Sequence, residues 1–129
     1  MNFQKIGVIG SGNWGIALGV AFARNGHRVT VWTRSEEKAQ LLNHSRSHPV
    51  IAPQVFPEGL TFTTSPIEVM AASVIVSALP SQVTLPVWKE SFVSLLLNQT
   101  LIHSTKGLLP DGTPYISERL SDLTRSPWS

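Results

Sequence analysis

Six residues near the amino terminus, Gly10-Ser11-Gly12-Asn13-Trp14-Gly15, carry the spacing G-x-G-x-x-G. Glycines at these positions do one kind of chemistry: they present backbone N–H groups to an anion. Gly10 permits a tight turn, Gly12 lets the backbone approach a diphosphate because it has no side chain, and Gly15 lets a helix pack close to the preceding strand. The pattern is weak alone, but here it has its required context. Ile6 to Ile9 is a short apolar run suited to a buried parallel strand, and Ile16 to Arg24 is apolar nearly all round, as in a helix buried on most sides. The dipole of that helix also favours negative charge at its start.

Three further positions follow strand-like runs. Thr33 and Arg34 come after Arg28–Trp32, where an Asp or Glu would bind a ribose 2′-hydroxyl; no acid appears until Glu36. A carboxylate would repel a 2′-phosphate, whereas a guanidinium pairs with one through two hydrogen bonds, so Arg34 favours NADP(H) over NAD(H). The alternative is an ordinary exposed arginine on a helix-capping loop. Pro80 and Ser81 follow the apolar run from Ser73 to Leu79, and Lys106 follows Thr100–Ser104 and precedes Gly107. An ammonium at residue 106 could hold a phosphate or polarise a carbonyl oxygen; equally, it could be a surface lysine.

The elements that must position these residues alternate along the chain. Asn25-Gly26 stops the first helix, with Gly26 suited to a left-handed cap. Ser35 caps a helix over Glu36–Leu42, and the segment from Asn43 to Gly59, rich in Pro, His and Ser, reads as irregular. Leu60–Thr63 is a short strand. Ser65-Pro66-Ile67-Glu68 opens a helix, with Glu68 completing a capping box. Gln82 to Leu97 has a helical pattern with Pro86 in its first turn, and Thr113-Pro114 opens a last helix through Leu120. Such strand–helix repeats define an α/β, Rossmann-type, doubly wound sheet, mainly parallel, with helices on both faces and ligands beyond the carboxyl ends of its strands.

Composition narrows the rest. The 129 residues suffice for one domain, with 124–129 a tail lacking periodicity. Ten Lys and Arg against eight Asp and Glu, scattered without a stripe, argue against a nucleic-acid partner. The chain has no cysteine, which excludes disulfides and thiol catalysis, and no His cluster at metal-ligand spacing. The start lacks a signal-peptide core, and the longest apolar stretch is too short to span a bilayer, so no membrane insertion and a cytoplasmic location are expected. His27, Trp32 and Trp88 read as structural residues, His44 and His48 as loop residues, and His103 as a strand-end residue.

Taken together, several segments resemble NAD(P)-dependent glycerol-3-phosphate dehydrogenase over nearly the whole chain. They are Gly10–Leu18, Asn25-Gly26-His27-x-Val29, Val31-Trp32-x-Arg34, Leu79-Pro80-Ser81-Gln82 and Ser104-Thr105-Lys106-Gly107-Leu108. The resemblance implies reduction of dihydroxyacetone phosphate to sn-glycerol 3-phosphate, which feeds phospholipid synthesis. It places Asn13 and Trp14 against the cofactor and Arg34 at the adenosine 2′-phosphate. It places Pro80 and Ser81 along the nicotinamide end, and Lys106 between the nicotinamide and a small phosphorylated substrate. Residues 44–56 match the family's loop poorly, with Asn43, Arg46 and Pro57 as remnants. The family's all-helical C-terminal domain, with its catalytic lysine, is expected beyond residue 129, so no catalytic residue is assigned and the chain alone is expected to be inactive. A homodimer of the full-length protein stays open. So do two other readings: a free-standing NADP-binding module, and a related Rossmann dehydrogenase with another substrate.

Overall fold

The computed structural model describes residues 4–49, 55–96 and 99–103. Five strands form one sheet: β1 (Lys5–Ile9), β2 (Arg28–Trp32), β3 (Leu60–Thr63), β4 (Val74–Ser77) and β5 (Thr100–His103). All pairings are parallel, in the order β3-β2-β1-β4-β5. The chain thus leaves β1 to one side for β2 and β3, then crosses over to build β4 on the other. That reversal falls between β1 and β4, and doubly wound sheets bind ligands beyond the carboxyl ends of their strands at such a point.

Strand alternation divides the core into two layers. Ile6 and Val8 of β1, Val29 and Val31 of β2, Leu60 and Phe62 of β3 and Val76 of β4 share one layer with Ile16 and Val20 of α1 (Asn13–Arg24) and with Ala39 and Leu42 of α2 (Glu36–Ser45). Ile9, Trp32, Ile75 and Leu101 face the other way. They pack with Val69 and Met70 of α3 (Pro66–Met70) and with Val87 of α4 (Ser81–Val87). Helices therefore cover both faces, as strand–helix alternation requires.

The helix ends follow local chemistry, and one motif occurs twice. Thr33 and Thr63 each end a strand region, and each hydroxyl accepts from the amide two residues on, Ser35 or Ser65. The Ser35 and Ser65 hydroxyls then accept from Lys38 N and Glu68 N, capping α2 and α3. The expected capping box at Ser65 is therefore only half made: its amide goes to the Thr63 hydroxyl, not to the Glu68 carboxylate. Gly26 takes the left-handed conformation (φ 90°) beyond α1.

Two segments depart from expectation. The irregular stretch expected from Asn43 is more ordered: α2 continues to Ser45 and ends on Arg46, a non-glycine residue at φ 55°. The Arg46 guanidinium reaches the Leu60 and Pro57 carbonyls and lies over the Phe56 ring, while Asn43 exchanges hydrogen bonds with both backbone groups of Phe62. These contacts bind the end of α2 to β3, so Asn43 and Arg46 are structural in this chain. The second departure concerns Pro86, which lies near the end of α4, not in the first turn of a longer helix. Proline has no N–H to give the carbonyl four residues back. After it the chain relaxes into a π-helical turn, Trp88–Phe92, in which Val93 N donates to Trp88 O, and then a short 3₁₀ turn, Val93–Leu95. That spacing turns both Trp88 and Phe92 fully inward. The Trp88 indole N–H donates to the Ser77 hydroxyl (3.0 Å), and Phe92 meets the Trp32 ring edge-on. Trp32 and Trp88 are packing residues, as read from sequence. The expected helix from Thr113 to Leu120 and the tail 124–129 lie outside the described residues.

Removing the Arg46 side chain takes its donor from the Leu60 carbonyl and one of two donors from the Pro57 carbonyl, which keeps Leu60 N. Arg46→Met keeps the backbone constraint and much of the apolar stem, and it should lower unfolding free energy by about 1–3 kcal/mol in urea denaturation. A loss below the error of that measurement would show that water replaces the guanidinium at no cost.

Candidate functional site

The glycine loop begins where β1 ends. Gly10 sits at φ 121°, a conformation that side chains resist, and a Cβ there would lie 2.9 Å from the Ala78 carbonyl oxygen. Its amide donates to Trp32 O (3.1 Å), and Ala78 N donates to Ile9 O (2.8 Å). The turn is thereby wedged between the ends of β2 and β4. Gly15, in the first turn of α1, is under the tightest constraint: a Cβ would stand 2.0 Å from the Gly10 carbonyl oxygen. Gly12 differs from both, since a Cβ there meets nothing within 4 Å. Protein packing explains two of the three glycines. The third borders open space at the start of α1.

That helix start is electrostatically unsatisfied. Gly12 is the N-cap of α1 and offers no side-chain oxygen, and the first turn carries no acid. By contrast, α2 and α3 are closed by serines and carry acids in their first turns. Helix α4 opens on Pro80, also without a side-chain cap, at the same end of the sheet. Among the described residues no side chain caps the first α1 amides, and Gly12 borders open space beside them.

The positions inferred from sequence converge here to the extent that they are described. Gly10, Ser11, Gly12, Asn13, Trp14 and Gly15 form the turn and helix start, with Asn13 and Trp14 exposed. Pro80 and Ser81 begin α4 after β4, where the Thr84 hydroxyl donates to Pro80 O (2.8 Å) and steadies the turn. Arg34 is exposed on the loop after β2, between buried Thr33 and the capping Ser35, with its side chain outside any hydrogen bond among the described residues. The register Ile9↔Trp32 sets that loop beside the glycine turn. Lys106 lies outside the described residues.

Sequence reasoning passed over two neighbours. Lys38, in the first turn of α2, donates from Nζ to the Ser11 carbonyl (2.7 Å), joining α2 to the glycine turn. Its place three residues after the Ser35 cap was the available signal, because that spacing points a side chain back toward the strand ends. Glu36, the first acid after β2, is drawn toward β3: Thr64 donates to it at 2.6 Å and Gln40 at 3.4 Å.

Among the histidines, His27 serves structure, while His103 lies at the same end of the sheet as the glycine turn. His27 Nδ1 accepts from Gln4 N (2.9 Å), the structural role expected of it. His103 ends β5, and desolvation by burial lowers its pKa below the usual histidine value. Among the described residues no group of three or more His, Cys, Asp or Glu could hold a metal ion, and no helix is long and apolar enough to cross a membrane.

Sheet order and glycine turn together define the class, a Rossmann-type α/β domain. Comparison places it further. Residues 5–127 match the model of the N-terminus of NAD-dependent glycerol-3-phosphate dehydrogenase, and the chain belongs to that family. Similar proteins include the glycerol-3-phosphate dehydrogenases [NAD(P)+] of Lysinibacillus sphaericus, 32% identical over 92% of this chain, and Leptospira biflexa, 35% identical over 89%. The chain spans 36% and 35% of their respective lengths, about a third. Among solved structures, glycerol-3-phosphate dehydrogenase from Coxiella burnetii superposes with a TM-score of 0.81 at 21% identity, covering 96% of this chain and 38% of that one. An imine reductase from Myxococcus stipitatus in complex with NADP+ superposes at 0.64 and 20% identity, covering 93% and 38%. Both share the fold.

The glycines separate by experiment. Gly15→Ala forces backbone apart and should lower Tm by at least ~5 °C, while Gly12→Ala should leave it within about 2 °C by calorimetry. Equal losses would contradict the division between packed and open glycines. For His103, the folded state disfavours the proton that the unfolded state takes up. Its contribution is complete above the unfolded pKa and is lost as pH falls toward the depressed folded value. Wild-type Tm should therefore drop more steeply from pH 7 to 5 than that of His103→Asn; parallel curves would remove His103 from the account.

Proposed function

We propose that this chain binds the diphosphate of a nicotinamide dinucleotide at Gly10–Gly15 and serves as the cofactor half of a glycerol-3-phosphate dehydrogenase. The observation that carries this reading is the start of α1. It has no capping side chain, and its Gly12 faces space that no part of the described protein fills. A diphosphate matches that helix start in charge, and the space at Gly12 leaves room for its approach. Asn13 and Trp14, exposed at the rim, contact the cofactor, while Pro80 and Ser81 line its nicotinamide end. The nicotinamide, when bound, supplies or accepts the hydride exchanged with the central carbon of dihydroxyacetone phosphate or sn-glycerol 3-phosphate. Lys106, by its sequence position after β5, reaches the nicotinamide region and holds the phosphorylated substrate or polarises its carbonyl oxygen. The work of this chain is to bind, orient and neutralise charge.

NADP(H) is the preferred cofactor in this reading. Arg34 is held in place by its neighbours while its guanidinium stays exposed, and the nearest acid, Glu36, is engaged by Thr64 and Gln40 instead of waiting for a ribose diol. A guanidinium pairs with a 2′-phosphate, which a carboxylate would repel.

The test is calorimetric titration of NADPH and NADH into wild type, Gly12→Ala and Arg34→Asp. Gly12→Ala should weaken both cofactors by at least ~10-fold, and Arg34→Asp should weaken NADPH alone by a similar factor. Undiminished binding to Gly12→Ala would overturn the diphosphate site; an unchanged NADPH-to-NADH ratio in Arg34→Asp would remove Arg34 from cofactor choice.

A further inference from the structure

Lys38 has a position and chemistry that its bond to Ser11 does not use up. Its ammonium bridges two adjacent strand ends, reaching from α2, which follows β2, to the turn that follows β1. A dinucleotide lying with its diphosphate on that turn has its adenosine ribose over the end of β2. The Lys38 Nζ, held at the Ser11 carbonyl, lies on the side of the glycine turn that faces the end of β2.

Its electrostatic state points the same way. An ammonium has three N–H donors. One goes to the Ser11 carbonyl, a neutral partner, and among the described residues no carboxylate pairs with the charge. Glu36, two residues earlier, is turned to Thr64 and Gln40. The side chain is partly buried, so its charge is less well hydrated than that of a free surface lysine. Arg34 stands four residues before it, across the Ser35 cap. A 2′-phosphate carries about −1.5 to −2 at neutral pH, as phosphomonoesters do, and two cations match it. A ribose hydroxyl could accept a hydrogen bond from either, but it would leave both charges uncompensated.

We propose that Lys38 is a specificity-determining residue for the dinucleotide, its ammonium joining the Ser11 carbonyl to the adenosine 2′-phosphate and dividing that charge with Arg34. This rests on the cofactor reading given above. It adds a function to what would otherwise be a strap between a helix and a loop: tethered to Ser11, Lys38 makes 2′-phosphate binding and glycine-turn geometry interdependent.

The test titrates NADPH, NADH, 2′,5′-ADP and 5′-AMP into the wild-type chain, K38M and K38R, with a thermal melt of each. In K38M, NADPH and 2′,5′-ADP should weaken by at least ~10-fold, while NADH and 5′-AMP stay within about twofold; K38R should recover most of the loss. If K38M weakens NADPH and NADH equally, Lys38 only straps the turn, and the proposal is overturned. Unchanged affinity for all four ligands overturns it as well. Wild type that does not distinguish NADPH from NADH would defeat the cofactor reading itself, and this inference with it. Wild-type preference that survives intact in K38M would defeat the Lys38 assignment alone.

Discussion

Helix α1 begins so close to the end of β1 that a methyl group on residue 15 would lie 2.0 Å from the Gly10 carbonyl oxygen. Such an approach is possible only between two backbones without side chains. It has consequences in both directions. Toward the core, it presses Ile16 and Val20 onto Val8, Val29 and Val31, so the first strand–helix unit sets the layer on which α2 and β3 are built. Toward solvent, it holds the first turn of α1 against the strand ends, where Gly12 borders open space. Gly10 completes the arrangement by turning the chain at φ 121° against the Ala78 backbone, which ties the same turn to β4.

Around that contact, the capping chemistry separates one kind of helix start from another. After β2 and β3, a threonine and a serine two residues apart close the turn and satisfy the next helix from within the chain. After β1 and β4, no side chain does so. Helices that cap themselves are anchored at the sheet's outer half. Those that do not flank the point where strand order reverses. Cations follow the same geography, with Arg34 and Lys38 both on the α2 side of the glycine turn, and Glu36 drawn toward β3 by Thr64.

Membership of the glycerol-3-phosphate dehydrogenase family and this electrostatic layout are independent facts that support one reading. The chain spans about a third of the length of the relatives it matches, here 36% of the Lysinibacillus protein. Its described residues hold a helix start, two cations and a pair of strand ends in fixed relation.

Much of this was already legible in the residues. Short apolar runs and a first helix apolar nearly all round, with Ser35, Ser65, Pro66 and Gly26 at the helix ends, pointed to alternating strands and helices and to a parallel sheet. The three glycines marked the turn, because local backbone geometry depends on nearby residues alone. What lay beyond reach was every choice made between groups distant in sequence. Glu68 lost its place in the capping box to Thr63. Asn43 and Arg46, read as loop remnants, bind β3 across 19 and 14 residues of chain. Pro86 let a helix loosen into a π turn because Trp88 and Phe92 gained full burial by it. Lys38 found Ser11 across 27 residues, a meeting decided by the register of two strands. Sequence alone settled where backbone must bend, because a bend is a property of a few adjacent torsions. Only the folded chain decided which polar groups would pair, because hydrogen bonds go to whichever partner packing brings within 3 Å or so.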